Sequence, residues 1–217
     1  PLNEIIDWWP WKDWIPAINN PSFLLLWNVE QWGFINDSSQ WVAVEIWWDA
    51  RFYSYAILNW HEIVNDRLWN THIAVTFCPL CWSAMVFNRT VWSKILRFWV
   101  SWKLYQSNLL MYDTYSESLW SQAYAQSVVW VYNETELEII DSDLMTFWQF
   151  KKSYPWWKVL SDDTWYSRRY NISSPYWDYN NNDLLYFPVN NKDVRLPLKE
   201  ILFVINDIQT DQSIAFV

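Results

Sequence analysis

Glycine is almost absent from this chain. Its 217 residues include one glycine, where average usage of about 7% would give roughly 15. Tight turns need residues with positive φ, which glycine adopts at little steric cost. Tryptophan occurs 22 times instead, and segments 7–14, 46–51, 68–71 and 154–160 read as turns only if glycine replaces it. We expect that most tryptophans stand for glycine, because some bacteria translate UGA as glycine while other genetic codes read it as tryptophan.

Positive charge is also scarce. Lys and Arg number 15 against 24 Asp and Glu, which gives a net charge of −9. Nucleic-acid binding requires clustered basic residues, so we exclude nucleic acid as a partner. No apolar run approaches the ~18 residues of a membrane span, so no transmembrane segment is expected. The sequence identifies no protein partner, and it leaves open whether the protein is an enzyme.

Apolar and polar residues alternate along much of the chain, as is typical of strands with one buried face. The expected strands are 42–46, 50–58, 61–68, 71–77, 83–89, 94–100, 108–113, 127–132 and 202–207. Segment 141–154 has helical spacing, with Ser142 or Asp143 as its expected cap. We therefore predict a mainly-β (α+β) fold, an antiparallel sheet or barrel-like domain with one or two helices. The expected organisation is an irregular lead-in over 1–23 and a single mainly-β domain over 24–217.

The two cysteines, Cys78 and Cys81, form a Cys-Pro-Leu-Cys motif at the end of a predicted strand. A hairpin over 61–78 with its turn at 69–70 pairs residues whose numbers sum to 139. This register would place His61 opposite Cys78, with their Cβ atoms about 4.5–5.5 Å apart. The motif and one histidine would then meet at the same end of the hairpin.

The other histidine, His72, is not expected at this site. It lies six residues from Cys78 along one strand, a distance of about 20 Å at ~3.3 Å per residue. A site built by Cys78, Cys81 and His61 would have three ligands suited to a zinc or copper ion and one open position. Glu62 faces the other side of the strand in this register, so it would be a poor fourth ligand.

Three interpretations of the dithiol are open. The leading one is metal binding, with Glu62, Asn65 and Asp113 as residues that could surround the ligands. The second is a thiol–disulfide oxidoreductase in which His61 lowers the pKa of Cys78. The segment after the motif alternates like a strand, so no helix N-terminus that would stabilise a thiolate is evident. The third is a non-catalytic structural or interaction module with a local disulfide.

A second polar cluster follows in the sequence, where Asp113, Glu117 and Ser118 lie near Trp120. Such a cluster could supply a general acid or orient His61. We favour a polar turn between strands that anchors a buried tryptophan. No Gly-x-Ser-x-Gly nucleophile motif and no phosphate-binding glycine loop appears, even with tryptophan read as glycine.

Several longer motifs together resemble the uncharacterised family called domain of unknown function 3179 over nearly the full length. They include WIPAINNPSF (14–23), NWHEIVND (59–66), FCPLC (77–81), LLMYDTYSESLWSQ (109–122) and RLPLKE (195–200). The resemblance implies no established activity. It implies an extracytoplasmic, secreted or lipid-anchored protein, whose signal or anchor we expect outside this chain. The family has glycine where this chain has Trp82, Trp99 and Trp102, whereas Trp60 and Trp120 match family tryptophans.

Overall fold

A computed structural model describes residues 2–8, 12–25, 28–29, 33–154, 156–171, 174–176, 178–190, 192–207, 210 and 212–217. The chain divides into two compact units, 1–177 and 178–217. Strands make up 42% and helices 11% of the structure, so the predicted mainly-β class is confirmed. The expected division into a lead-in over 1–23 and a single domain over 24–217 stays a prediction.

The described part of the first unit contains fifteen strands and two α-helices. The strands are β1 (Ile5–Asp7), β2 (Phe23–Leu25), β3 (Gln40–Ile46), β4 (Asp49–Ser54), β5 (Ile63–Leu68), β6 (Thr71–Cys78), β7 (Ser83–Asn88), β8 (Thr90–Val91), β9 (Lys94–Ile95), β10 (Phe98–Tyr105), β11 (Asn108–Asp113), β12 (Leu119–Ser121), β13 (Gln126–Val129), β14 (Asp143–Thr146) and β15 (Trp157–Leu160). The helices are α1 (Tyr55–His61) and α2 (Phe147–Ser153), and a short 3-10 helix spans Leu2–Glu4.

These strands form three main sheets. One has five strands in the order β1-β10-β11-β12-β13, all antiparallel. Another has the order β14-β3-β4-β15-β2, in which β15 runs parallel to β4 and the other neighbours are antiparallel. The third is the antiparallel sheet β5-β6-β7, and β8 with β9 forms a separate two-stranded ribbon.

The hairpin β5–β6 has the predicted register. Ile63 pairs with Thr76 and Leu68 with Thr71, so the paired numbers sum to 139. The two-residue turn at 69–70 is therefore confirmed. β7 continues the sheet and pairs Ser83 with Cys78, so residues 79–82 form the loop that carries the second cysteine.

The structure corrects the prediction just before this hairpin. Residues 50–58 do not form one strand, because β4 ends at Ser54 and α1 follows directly. Ile57 and Leu58 of α1 are fully buried in the core that also includes Val64 and Val75. Tertiary burial here outweighs the β propensity of the sequence. The strand expected from residue 61 begins at residue 63.

The second helix starts later than expected. Within 141–154, the first residues pair with β3 as β14, and α2 begins only at Phe147. Its cap is Thr146, which forms a reciprocal capping box with Gln149. Phe147 and Phe150 are buried as the helical spacing indicates.

The second unit, 178–217, contains a 3-10 helix at Tyr179–Asn181 and one antiparallel hairpin among its described residues. The hairpin consists of β16 (Phe203–Asp207) and β17 (Gln212–Phe216). The strand expected over 202–207 is thereby confirmed.

Positive φ is unusually common at tryptophan. Among the described residues, 16 residues other than glycine have a positive φ, and eight of these are tryptophan. They are Trp47, Trp48, Trp69, Trp82, Trp92, Trp102, Trp130 and Trp165. Several lie in hairpin turns, where a left-handed backbone favours glycine and a bulky side chain is strained.

Candidate functional site: a dithiol beside a buried carboxyl

The two thiols meet at the tip of the β6–β7 hairpin. Cys78 is the last residue of β6, and the backbone amide of Cys81 donates a hydrogen bond of 3.2 Å to the Cys78 carbonyl. Their Sγ atoms lie 2.8 Å apart, and both cysteines are free. A covalent disulfide has an S–S distance of about 2.05 Å. Cys78 is buried, whereas Cys81 is an exposed residue.

The Cys81 sulfur lies in an environment that favours the thiolate. Hydrogen bonding to the neighbouring Cys78 thiol lowers the pKa of Cys81, and so does a hydrogen bond from Asn108. The Asn108 Nδ2 atom donates to Cys81 Sγ at 3.3 Å and to Gln122 Oε1 at 3.1 Å. Gln122 is itself fixed, because its Nε2 atom donates to Thr76 Oγ1 at 3.1 Å. The side-chain amides of Gln122 and Asn108 therefore form a chain that keeps the Asn108 N–H group directed at Cys81 Sγ.

The Cys78 sulfur lies in the opposite kind of environment. Burial raises the pKa of Cys78, and the nearby Cys81 sulfur and Glu62 carboxyl raise it further. Desolvation penalises a thiolate that has no compensating positive charge. The pair therefore consists of one thiol whose pKa is lowered and one whose pKa is raised.

The acidic residue beside this pair is Glu62, which caps the C-terminus of α1 in the left-handed region with φ 57°. Its side chain is buried and accepts a hydrogen bond from the Tyr176 hydroxyl. Its backbone carbonyl accepts from the Phe77 amide at 2.7 Å, one residue before Cys78. Burial raises the pKa of Glu62 to about 8. A buried acid on a strained backbone is a feature that clusters at functional sites.

Glu62 and Cys78 line the same small cavity. Its other walls include Val100, Trp102, Leu109 and Tyr176. The carboxyl and the buried sulfur thus share one mostly apolar space, in which burial raises the pKa of both groups and the Glu62 carboxyl raises that of Cys78 further. The prediction that Glu62 faces away from the cysteines is wrong, because residue 62 precedes β5 and does not follow its alternation.

His61 is not brought to the sulfur atoms. Its Nδ1 atom bonds the Pro16 carbonyl at 2.7 Å and its Nε2 atom bonds the Tyr170 hydroxyl at 2.6 Å. A carbonyl only accepts, so Nδ1 carries the proton and Tyr170 donates to Nε2. The Tyr170 oxygen lies 2.5 Å from Thr164 Oγ1. Burial lowers the pKa of His61 to about 4, so the ring is a neutral structural link.

Asn65 and Asp113 form contacts of their own elsewhere. Asn65 bonds both the amide and the carbonyl of Phe98, which ties β5 to β10. Asp113 accepts a hydrogen bond of 3.0 Å from the Trp120 indole, in the polar turn that the sequence favours. His72 lies near the start of β6, at the opposite end of the strand from the cysteines.

The sequence predicted Glu62 as a residue that could surround the ligands but placed it on the wrong face of the strand, and it indicated no role at the site for Tyr176, Asn108 or Gln122. The missed helix α1 explains the first, because strand alternation was applied to a residue outside the strand. Tyr176 lies 114 residues from Glu62, Gln122 lies 46 residues from Thr76, and Asn108 lies 27 residues from Cys81. No spacing in the sequence connects such segments.

Two properties of the described residues concern the predicted metal ligands and membrane segments. Within the described ranges, no group of three or more His, Cys, Asp or Glu side chains is arranged to hold a metal ion. Over the same ranges, no helix combines the length and apolarity needed to cross a membrane.

Fold and site together define a mainly-β protein with a Cys-x-x-Cys dithiol next to a buried acid. The chain belongs to the family described as "Protein of unknown function (DUF3179)", whose sequence profile matches residues 12–216. The resemblance over nearly the full length is thereby confirmed. No curated protein and no solved structure gives a significant match.

Proposed function

We propose that the protein catalyses thiol–disulfide exchange, with Cys81 as the attacking thiol and Cys78 as the resolving thiol. The observation that carries this proposal is the asymmetric pair: sulfur atoms 2.8 Å apart, one exposed and one buried. Attack on an external disulfide needs an accessible thiolate, and resolution needs a second thiol within reach of the first.

The reaction proceeds in two balanced steps. The Cys81 thiolate attacks one sulfur of a substrate disulfide, which forms a mixed disulfide and releases one substrate thiolate that takes up a proton. Cys78 then loses its proton and attacks Cys81 Sγ, which forms the Cys78–Cys81 disulfide and releases the second substrate thiol. The substrate is reduced by two electrons and the dithiol is oxidised by two. The reverse sequence would transfer the disulfide to a dithiol substrate.

Glu62 supplies the proton acceptor that the second step requires. Cys78 is buried, so its proton needs an acceptor inside the protein. The Glu62 carboxyl lines the same cavity as Cys78 and has a pKa near 8. Only the ionised fraction of Glu62 can accept the proton, and because this fraction is small at pH 7 and grows as the pH rises through 8, the second step should speed up over that range. The Tyr176 hydroxyl holds the carboxyl in place.

The test is the reduction potential of the pair together with exchange activity. Purified protein is equilibrated in glutathione buffers and the fraction of oxidised dithiol is measured by mass spectrometry. An exchange enzyme is expected to equilibrate at potentials above about −300 mV. A potential far below this value, with no exchange in the wild-type chain, would identify a structural bridge and overturn the proposal.

Two further expectations stand beside this proposal. A zinc or copper ion bound by Cys78, Cys81 and His61 stays a prediction; the His61 ring is engaged elsewhere in the structure. Elemental analysis of the wild type against C78S tests it. An extracytoplasmic location also stays a prediction, and it would suit a dithiol that cycles through a disulfide, since such compartments are oxidising.

We also propose that most of the tryptophans correspond to glycine in the natural protein. The support is conformational, because eight tryptophans have the positive φ that favours glycine. Trp120, which matches a family tryptophan, has no positive φ and donates its indole N–H to Asp113. Sequencing of the gene decides the matter, because UGG codons at the positive-φ positions would refute the proposal and UGA codons would support it.

A further inference from the structure

The structure assigns a substrate pocket to the space that the Trp102 indole now fills: we infer that position 102 is naturally glycine and that the pocket receives a large apolar side chain next to the substrate disulfide. This inference rests on the proposed exchange function. Trp102 lines the cavity shared by Cys78 and Glu62, so removing its side chain extends that cavity.

The backbone at position 102 has a conformation that favours glycine. The pairing of β10 with β11 shifts between Val100 and Lys103, which leaves Ser101 and Trp102 in a β-bulge. Trp102 has φ 59° in this bulge. A bulge residue in the left-handed region is typically glycine, because a Cβ atom is strained there.

The indole of Trp102 also lacks the contact that buried tryptophans usually have. The residue is 7% exposed, and its Nε1 atom has no hydrogen-bond partner among the described atoms. A buried N–H without a partner is costly. The same holds for Trp99, the other family glycine on this strand, whereas Trp120 is buried with its N–H satisfied. The residues around the Trp102 indole therefore offer no acceptor for its N–H group, as expected if glycine is the natural residue at this position.

The walls of this space indicate its occupant. Val100, Leu104 and Leu109 line it, and the Trp8 ring lies 5.1 Å from the Trp102 ring between centroids. Trp8 also lies 5.8 Å from Tyr176, whose hydroxyl bonds Glu62. The enlarged pocket would run from Val100, Leu104 and Leu109 to the buried thiol and would be mostly apolar. Because it adjoins the dithiol, a polypeptide whose disulfide lies on Cys81 could place a neighbouring aromatic or large aliphatic side chain in it.

The test compares W102G with the conservative variant W102F and with W69G, which makes the same change far from the site. Each protein is given two peptides with a cysteine blocked as a methyl disulfide, one with phenylalanine and one with serine beside it. W102G is expected to react with the phenylalanine peptide about tenfold faster than with the serine peptide. W102F and W69G are expected to show a ratio near one. An equal ratio in W102G and W102F would overturn the pocket.

A binding measurement separates the pocket from the exchange reaction. The same phenylalanine peptide, with serine in place of its cysteine, is titrated calorimetrically into each variant, and circular dichroism checks that each is folded. Binding to W102G but not to W102F supports the pocket even if no variant exchanges disulfides, a result that would refute only the proposed function. Exchange without selective binding to W102G would refute only the pocket.

Discussion

The sulfur atoms of Cys78 and Cys81 lie 2.8 Å apart, but only Cys81 is exposed. This relationship predicts that the two cysteines are not interchangeable. In C78S the exposed thiol still attacks a peptide disulfide but nothing resolves the product, so a stable mixed disulfide is expected by intact-mass spectrometry. In C81S the remaining thiol is buried, and the mixed disulfide should form far more slowly. Equal trapping by the two variants would contradict the assigned roles.

Asn108 is predicted to be a positioning residue for the Cys81 thiolate, since its amide donates to Sγ at 3.3 Å. In N108A the pKa of Cys81 should rise, and alkylation by iodoacetamide at pH 7 should slow about three- to tenfold. The rate at high pH should stay unchanged, because the thiolate itself is intact. N65A is the control: it also removes a buried amide, but one that bonds Phe98. If N65A shifts the pH profile as much as N108A does, the effect is only structural.

Glu62 predicts a loss of stability at alkaline pH. Its pKa rises from an ordinary 4.5 to about 8 on folding, so the folded state binds the proton more tightly than the unfolded state. The resulting stabilisation is complete below pH 4.5 and is lost as the pH rises through 8. Urea unfolding of the wild type should show the free energy of unfolding falling between pH 5 and pH 9. E62Q should flatten this dependence, while E45Q, at an exposed position, should keep it.

The β5–β6 hairpin, whose second strand ends at Cys78, could be predicted because its information is local. Alternation and a two-residue turn fix the register of β5 and β6, and both cysteines follow on the same chain segment. The position of residues 61 and 62 could not be predicted in this way. The segment 55–61 has apolar residues that suit either a strand or a helix, and burial of Ile57 and Leu58 selects the helix. Because this helix was not predicted, His61 was expected beside the thiols, whereas the structure places Glu62 there.

The rest of the site depends on contacts between distant segments. Tyr176 reaches Glu62 across 114 residues, and Asn108 reaches Cys81 across 27. Neither pair has a sequence signal, because tyrosine and asparagine occur in many loops and strands. The mainly-β class, in contrast, follows from alternation repeated in many segments, so single errors such as the strand expected over 50–58 do not change it.

His61 predicts a loss of stability at acidic pH. Its pKa falls from 6.5 to about 4 on folding, mainly because burial disfavours the charged ring. The unfolded state then binds the proton more tightly, so stability is full above pH 6.5 and is lost as the pH falls towards 4. The free energy of unfolding should drop by a few kcal/mol over this range. H61Q should remove most of this dependence. Nuclear magnetic resonance should show the His61 Nδ1 proton at pH 6, and a ring that titrates near pH 6.5 would contradict the buried link.

Replacing tryptophan with glycine should change the stability of the protein in opposite directions, depending on whether the tryptophan has a positive φ. Trp69 is 60% exposed with φ 49° in the β5–β6 turn, and relief of left-handed strain in W69G should stabilise the protein by about 1 kcal/mol. Trp148 is similarly exposed, at 52%, but lies inside α2, so W148G should destabilise by about 1 kcal/mol. Trp120 is fully buried, and W120G should cost at least about 3 kcal/mol. Chemical unfolding of the three variants measures these differences. Destabilisation by W69G as large as that by W148G would contradict the glycine proposal at this turn.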